Sequence, residues 1–465
     1  MSKREHASNS AAVRRRQTAA LATFSFAIPL SSRKESMPST SRAALTLALC
    51  LPLLHACGGS SDEGHVRLVN ASTDYSTISL YESSSELGDA VASDTVGSYV
   101  GVGADTYEFD LRTAGSSSTA ASTSQVVATG DHFTLVAYVD AGTLKTATLT
   151  DDEDKPTAGY ASLRIFNAAP AVAASVDVYV TATACASLTS ADTAVATAVT
   201  GLQDGYASVV AASAGSSWHV CVTGTGDRTD LRLDIPALTL TSQQVATLIL
   251  TKTGGGVLMN GLLLNQQGTL TSYANPNVRL RLVADAAAGG TVSATANGTT
   301  LGTSYVSPTV SAWRTVSAGD LALTLAIDGV AITKTGLSAI AGGDYTLLVA
   351  GTAGAPTINL LADDDSAPTS TSLPVRMKLV NGLNGGSGSA MLTSSGVVVG
   401  DSVAFGAASD DANIVASSAA ADLQVTSAGT TLWEVSGQTL TSGSVYTVFL
   451  LGDAGSVHGV VRADN

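Results

Sequence analysis

The sequence has few charged residues for its length. They make up 13% of the 465 residues, whereas globular domains carry about 25%. The apolar fraction of 45% excludes wholesale disorder, so serine, threonine and glycine must supply most of the polar surface. Threonine and valine favour pleated strands, and the 45 glycines suit the turns between them. Since single cores stop growing near about 200 residues, the composition predicts an all-β protein of three or four domains.

Basic residues are scarcer than acidic ones, at 23 against 38, which gives a formal net charge of −15. Eight of the 23 basic residues, but only two of the acids, precede residue 57, so the rest of the chain is strongly acidic. A surface of that sign repels phosphate backbones and anionic headgroups. The charge therefore excludes nucleic acid as a partner and leaves cations or basic partners open.

Catalytic signatures are missing as well. After residue 57 the histidines are His65, His132, His219 and His458, and no His-Glu-x-x-His zinc motif occurs. The sequence also lacks a Gly-x-Ser-x-Gly elbow and a phosphate-binding loop ending in Lys-Ser or Lys-Thr. These absences predict that the protein is not an enzyme and has no cofactor, although an active site built from residues distant in sequence would leave no such trace.

The N-terminal region has the layout of an export signal. One basic residue, Arg42, precedes the apolar run Ala43–Leu54, which is too short for a transmembrane helix of about 20 residues. The following Leu54-His55-Ala56-Cys57 resembles the bacterial lipobox, which implies that Cys57 is acylated; an ordinary secretory cleavage site is the alternative. Three consecutive arginines from Arg14 permit a twin-arginine reading of the upstream stretch. The predicted ranges are 1–36 for an upstream extension, 37–56 for a lipoprotein signal peptide and 57–64 for a flexible tether.

Four copies of one unit follow. Each opens on a strand with a basic residue followed by apolar ones, as in Val66-Arg67-Leu68-Val69-Asn70, and each closes on an apolar hairpin, as in Phe133-Thr134-Leu135-Val136. The pattern predicts four tandem immunoglobulin-like antiparallel β-sandwich domains after a signal peptide. The predicted domains are residues 65–156, 160–268, 277–368 and 375–465.

The first unit contains about seven strands. Between its opening strand and its closing hairpin, Tyr107, Phe109 and Leu111 alternate with charged residues, so one face of that strand meets a core and the other meets water. Ala-rich stretches at 191–199 and 412–422 are short and contain threonine or serine, which leaves them as strand or loop. The predicted strands of this unit are 65–70, 77–82, 95–100, 106–112, 124–129, 133–139 and 144–150.

Units 1 and 2 resemble a known family. Gly97-Ser98-Tyr99 and the closing Asp151-Asp152 of unit 1, with the stretch 163–170 of unit 2, are similar to the domain of unknown function 4397 family, which is common in exported bacterial proteins. In units 3 and 4 the similarity is confined to strand spacing and the hairpin. The resemblance implies a fold and an exported location; it implies no activity.

Two cysteines remain after Cys57, and both lie in unit 2. Paired cysteines in an exported domain are usually bridged, so Cys185 and Cys221 predict a disulfide, with two free thiols as the alternative. Cys221 alternates with Trp218, Val220 and Val222, which turns it to the outer face with His219. Its partner must therefore come from a loop.

Acidic clusters lie where units 1 and 3 end. Calcium binds several carboxylate oxygens, so a cation at each junction is one interpretation. Adjacent aspartates point in different directions, however, and solvated acidic turns before Pro156 and Pro368 are the preferred interpretation. The candidate metal ligands are Asp151, Asp152, Asp154, Asp363, Asp364 and Asp365.

These features predict a non-enzymatic lipoprotein of the outer membrane, on either side of it. It would serve as a binding, adhesion or spacer module, with an envelope protein or a glycan as partner. The alternative is a cell-envelope hydrolase or a polysaccharide-binding accessory protein, which a deep pocket with clustered carboxylates or histidines would favour.

Overall fold

A computed structural model describes residues 62–464, apart from 214–215, 371 and 387. The predicted upstream extension, the signal peptide and Cys57 lie outside the described residues, as does the tether up to residue 61. In the described residues the regular secondary structure is almost entirely β-strand, and each of the four repeats packs two main sheets around its own core; the third repeat adds a two-stranded sheet. The prediction of tandem β-sandwiches is therefore confirmed.

Six of the seven strands predicted for sandwich 1 are present close to their predicted bounds, because the alternation of apolar and polar residues is clear in this unit. The seventh, 95–100, is two short strands, and two further short strands were not predicted. Phe109 and Leu111 are fully buried and Tyr107 packs against the same core. Its strands are β1 Glu63–Asn70, β2 Thr77–Glu82, β3 Ser85–Glu86, β4 Val91–Ala92, β5 Thr95–Val96, β6 Val100–Gly103, β7 Asp105–Thr113, β8 Ala121–Val127, β9 His132–Asp140 and β10 Thr143–Thr150.

Sandwich 2 adds a short 3₁₀ turn, Cys185–Ser187, and a last strand beyond the predicted boundary at residue 268. The glycine run 254–256 lies in the connection of a hairpin. The strands are β11 Tyr160–Asn167, β12 Val176–Thr181, β13 Ala196–Val199, β14 Ala207–Val210, β15 Trp218–Gly224, β16 Asp227–Leu238, β17 Val245–Lys252, β18 Met259–Asn265 and β19 Leu270–Tyr273.

Sandwich 3 contains a second 3₁₀ turn, Ala287–Gly289, after its first strand. Its strands are β20 Asn277–Ala286, β21 Thr291–Ala296, β22 Thr299–Val306, β23 Thr309–Val310, β24 Arg314–Ser317, β25 Gly319–Asp320, β26 Leu323–Ile327, β27 Val330–Ile332, β28 Ser338–Ala339, β29 Asp344–Thr352 and β30 Ala355–Asp363.

Sandwich 4 resolves one of the ambiguous Ala-rich stretches, since residues 412–422 fall in β35 and β36. The other, 191–199, ends in β13. The strands are β31 Val375–Asn381, β32 Ala390–Ser394, β33 Val397–Val403, β34 Ala407–Ala408, β35 Ala412–Ile414, β36 Ser417–Ser427, β37 Thr430–Leu440, β38 Val445–Asp453 and β39 Ser456–Ala463.

The sequence had suggested wholly antiparallel sheets, but one sheet of every sandwich is mixed. The opening strand lies parallel to the first strand of the closing hairpin: β1 beside β9, β11 beside β17, β20 beside β29 and β31 beside β38. In all four, the basic residue of the opening strand stands opposite a threonine, in the pairs Arg67–Thr134, Arg164–Thr247, Arg281–Thr346 and Lys378–Thr447.

The mixed sheets also join the sandwiches in pairs. Leu68 and Leu135 face the core of sandwich 1, while Val69 and Val136 point the other way and pack against Phe166 of sandwich 2. The same arrangement in sandwiches 3 and 4 brings Val283, Leu348, Val380, Phe449 and Leu451 together. Strands buried on both faces read as continuous apolar runs, which explains the opening and closing blocks of the repeat.

Candidate functional site

A buried ionic network lies where sandwich 3 meets sandwich 4. Arg281 donates from Nε to Thr346 Oγ1 at 2.7 Å and from Nη2 to Asp363 Oδ2 at 3.3 Å, and it is ion-paired with Asp464 of sandwich 4. Lys378 of sandwich 4 reaches back to Asp363. Each sandwich thus supplies a cation that binds the partner's closing carboxylate, which ties the two sheets together.

A second ion pair extends this network. Arg279 grips Asp344 through two parallel bonds of 2.8 and 2.7 Å and donates to Asp365 at 2.8 Å. The Trp313 ring covers both arginines, with its centroid 4.6 Å from Arg279 Cζ and 4.3 Å from Arg281 Cζ. These contacts account for the position of Trp313.

Three cations and four carboxylates share this space. Burial raises the pKa of Asp365 well above its usual value, and the nearby carboxylates of Asp464 and Asp344 raise it further. The cations and carboxylates offset one another's charge, which reduces the cost of burying them. The network, named here the 3–4 network, comprises Arg279, Arg281, Lys378, Asp344, Asp363, Asp365 and Asp464.

At the interface of sandwiches 1 and 2, only sandwich 1 has the matching set of a basic residue, a threonine and a closing acid. Arg67 donates to Thr134 Oγ1 at 2.8 Å and to the carbonyl of Gly268 at 2.6 Å, and it lies 3.5 Å from Asp151. Tyr99 donates to Asp151 at 2.5 Å. Sandwich 1 therefore has the same basic residue, threonine and closing acid as sandwich 3.

Sandwich 2 lacks the closing acid. Gln266 donates its N–H to the Val245 carbonyl, just as Asp464 does to Val445 and Asp151 does to His132. Arg164 is buried, donates to Thr247 Oγ1 at 3.3 Å and stacks 4.6 Å from the Tyr206 ring centre. Within the described chain, Arg164 Nη2 has no hydrogen-bond partner and no carboxylate forms a salt bridge with this guanidinium.

Three of the six candidate metal ligands do not lie in the solvated turns preferred from the sequence. Asp151, Asp363 and Asp365 are 3%, 5% and 0% exposed, because they neutralise the basic residues of the opening strands. Asp364 is half-buried and paired with Arg376, while Asp152 and Asp154 are exposed. Calcium binding stays a prediction, although protein cations already contact the buried carboxylates. A basic residue inside an apolar strand was the available signal that a buried counterion must exist.

The disulfide Cys185–Cys221 is present, with the Cα atoms 5.5 Å apart. Cys221 lies on the outer face of β15, and Cys185 reaches it from the 3₁₀ turn after β12, as the alternation predicted. The turn covers the sulfurs, so both cysteines are buried together with Tyr179. Next to them, His219 Nδ1 lies 3.3 Å from Asp234 Oδ1.

The other histidines lie apart from this group. His65 and His132 stack with their centroids 4.8 Å apart in sandwich 1, and His132 Nδ1 lies 3.1 Å from Asp152 Oδ1. His458 is exposed in sandwich 4. The four histidines in the described part of the chain therefore do not combine into one site.

A cavity of about 370 Å³ at the junction of sandwiches 2, 3 and 4 is lined by Asp363, Asp364 and Asp411. Burial raises the pKa of Asp411, despite the opposing charges of Lys378 and Arg376. The pKa of Asp364 is lowered by hydrogen bonds from Ser366 and by the charge of Arg376, which outweigh its burial. The surroundings thus raise the pKa of Asp411 and lower that of Asp364.

The fold and these contacts define a tandem β-sandwich protein whose modules are paired through buried apolar contacts and, between sandwiches 3 and 4, through buried charges as well. The family model described as Domain of unknown function (DUF4397) matches residues 64–179, which confirms the resemblance in that range. The match covers sandwich 1 and continues through β11 into β12, so it includes strands of both sandwiches in the first pair. No curated protein matches the chain significantly. Among the described residues, no helix is long and apolar enough to cross a membrane.

Proposed function

We propose that the protein is a lipid-anchored spacer and binding module of the bacterial envelope. The observation that carries the proposal is the joining of sandwiches in pairs through apolar and ionic contacts. Burying Phe166 or Phe449 stabilises an interface by roughly 1.5–3 kcal/mol each, and the paired charges fix its register. Modules joined in this way resist bending and hold their connecting loops in fixed positions, as a spacer requires.

Support for the anchor comes from the sequence. The Leu54-His55-Ala56-Cys57 stretch and the short apolar run before it favour acylation of Cys57. A single acyl chain binds a membrane only weakly, whereas the several chains of a lipoprotein hold it firmly. The acidic charge of −15 leaves the lipid, and not the protein surface, to provide membrane contact.

The test is the intact mass of the protein purified from the membranes of its own host. A mass of residues 57–465 plus a diacylglyceryl group and an acyl group, less two hydrogens for the disulfide, is expected. Cys57→Ser should release the protein from the membrane fraction, whereas Cys50→Ser should leave it there. An unmodified soluble chain, or one that retains the residues before 57, would refute the anchor.

A hydrolase is the second candidate, and the cavity at the junction of sandwiches 2, 3 and 4 is the observation that favours it. Burial raises the pKa of Asp411, while Ser366 and Arg376 lower that of Asp364, and such a divergence between two carboxyl groups lining one cavity suits a general acid and a general base. If the protein releases sugars from envelope polysaccharides, Asp411→Asn and Asp364→Asn should each abolish that release, and Asp410→Asn should not. Equal activity in all three variants would leave this cavity without a catalytic role.

A further inference from the structure

Four side chains with metal-binding atoms meet on the outer face of sandwich 2. His219 and Cys221 are two residues apart on β15 and share one face. Asp234 on β16 stands directly opposite Cys221, and Cys185 approaches from the 3₁₀ turn. One ligand atom each from Cys185, His219 and Asp234 lie within 4.8 Å of one another, and the Cys221 sulfur is bonded to that of Cys185.

Two sulfurs, an imidazole and a carboxylate match the ligands of a four-coordinate zinc ion. Zinc–ligand bonds of about 2.0–2.3 Å put tetrahedral ligand atoms about 3.3–3.8 Å apart. His219 Nδ1 and Asp234 Oδ1 are already 3.3 Å apart. Sulfur and nitrogen ligands favour zinc over calcium or magnesium, which prefer oxygen. In the oxidised protein the two sulfurs are bonded to each other and cannot act as thiolate ligands.

We propose that reduction of the Cys185–Cys221 disulfide creates a Cys₂-His-Asp zinc site in sandwich 2. A dithiol reductant, such as a thiol–disulfide oxidoreductase, supplies two electrons and two protons to the S–S bond and becomes a disulfide itself. Zn²⁺ then binds both sulfurs as thiolates and releases their two protons to solvent. The sandwich exchanges one cross-link for another at the same position.

The surroundings suit this exchange. Tyr179, Leu188 and Leu231 pack around the sulfurs and limit the water there. The His219 and Asp234 side chains keep 22% and 26% of their surface exposed, which leaves an entry path for the ion. The sulfurs must separate when the disulfide is reduced, and the connection that carries Cys185 is mostly exposed and can shift.

Cobalt(II) added to the full chain tests the proposal, because thiolate ligands give an intense charge-transfer band and tetrahedral geometry gives strong visible bands. After reduction by a phosphine under anaerobic conditions, one equivalent of Co²⁺ should bind and Zn²⁺ should displace it. The oxidised protein should show no such bands. His219→Ala and Asp234→Asn should each weaken binding at least 10-fold, or about 1.4 kcal/mol.

His132 and Asp152 provide the matched control, since their 3.1 Å contact resembles that of His219 and Asp234 but has no thiols beside it. His132→Ala and Asp152→Asn should bind Co²⁺ as the wild type does. Absence of the charge-transfer band in the reduced wild type would refute the site. So would unchanged affinity in the His219→Ala, Asp234→Asn double variant.

If reduction unfolds sandwich 2, Zn²⁺ should refold it. Metal binding is coupled to folding when the site exists only in the folded state. Zn²⁺ added to the reduced chain should then restore the fluorescence of the half-buried Trp218 to its value in the oxidised protein. A reduced chain that stays unfolded in excess Zn²⁺ would overturn the proposal. The outcome does not depend on the lipid anchor or on the spacer role.

Discussion

At the scale of single residues, the two interfaces differ at a further matched position, in addition to the closing acid that sandwich 2 lacks. Ala71 and Ala168 fill it between sandwiches 1 and 2, whereas Asp285 and Gly382 fill it between sandwiches 3 and 4. A Cβ on Gly382 would lie 3.0 Å from Asp285 Oδ2, so the glycine makes room for the carboxyl. Asp285 accepts the N–H of Gly452 at 2.8 Å, and its other oxygen is buried without a hydrogen-bond partner.

Asp285 should make the protein less stable as the pH rises. Burial raises its pKa to about 8, from 3.8 in an unfolded chain. The folded state therefore holds a proton that the unfolded state loses between about pH 4 and pH 8, and stability declines through that window and then levels off. Asp285→Asn, which keeps the acceptor for Gly452, should remove this decline and add about 2–5 kcal/mol at pH 8.

Urea unfolding of the wild type and Asp285→Asn from pH 5 to pH 9 measures the effect. The stability difference should grow with pH until about pH 8 and then stay constant. Asp410→Asn, an exposed change in sandwich 4, should show no such trend. A constant difference across the whole range would mean that Asp285 titrates normally.

Two buried arginines give a second prediction, because Arg281 has carboxylate partners and Arg164 has none in the described chain. Arg281→Met should cost about 3–5 kcal/mol, since it leaves Asp363 and Asp464 short of a counterion. Arg164→Met leaves no acid unpaired and removes a buried nitrogen without a partner, so stability should change by less than about 1 kcal/mol. Denaturant midpoints of the two variants measure these losses of stability. Equal losses would show that Arg281 contributes through packing and not through its ion pairs.

Sequence patterns predicted the repeat and the basic residue of each opening strand, but not the partners of those residues. Asp464 and Arg281 are 183 positions apart, and Gly268 and Arg67 are 201 apart. Local patterns report which face of a strand is apolar; they carry no information on which neighbouring sandwich covers it. Three of the acids expected in solvated turns, Asp151, Asp363 and Asp365, are buried because of those distant cations.

At the scale of strands, the unit-1 prediction matched the structure because the alternation was clean, whereas the parallel pairing was missed. Parallel neighbours need a long crossover, so a pattern confined to one strand does not reveal them. Sandwich 4 shows a further feature that periodicity does not record. Gly459 in β39 lies beneath the ring of Trp433 in β37, and a Cβ there would come within 2.1 Å of Trp433 Cε2.

Gly459→Ala should therefore displace Trp433 and lower stability by about 1–3 kcal/mol through overpacking. Tryptophan emission should shift to longer wavelength as the ring becomes more exposed. Gly455→Ala provides the control, since a Cβ at that turn meets no atom within 4 Å. Unchanged emission and stability in Gly459→Ala would indicate that the ring does not rest on the strand.

At the scale of the whole molecule, the sandwiches are joined unequally. Buried apolar clusters link sandwich 1 with 2 and sandwich 3 with 4. Between sandwiches 2 and 3 the described residues form no such cluster. Polar contacts join them instead, such as Thr253 Oγ1 to the Gly342 carbonyl at 2.7 Å and the Val257 N–H to Asp344 at 3.2 Å. A polar junction adds less to cooperativity than a dry one, so the pair is the expected unit of folding.

The chain should accordingly unfold in two steps, one for each pair. Phe166→Ala should cost about 3–5 kcal/mol and lower only the transition of sandwiches 1 and 2, while Phe449→Ala should do the same for sandwiches 3 and 4. Hydrogen exchange read by mass spectrometry assigns each step, because both sandwiches of a pair should lose protection together. If Phe166→Ala exposed sandwich 2 alone, each sandwich would fold independently; if it exposed all four, the junction of sandwiches 2 and 3 would be as strong as the paired interfaces.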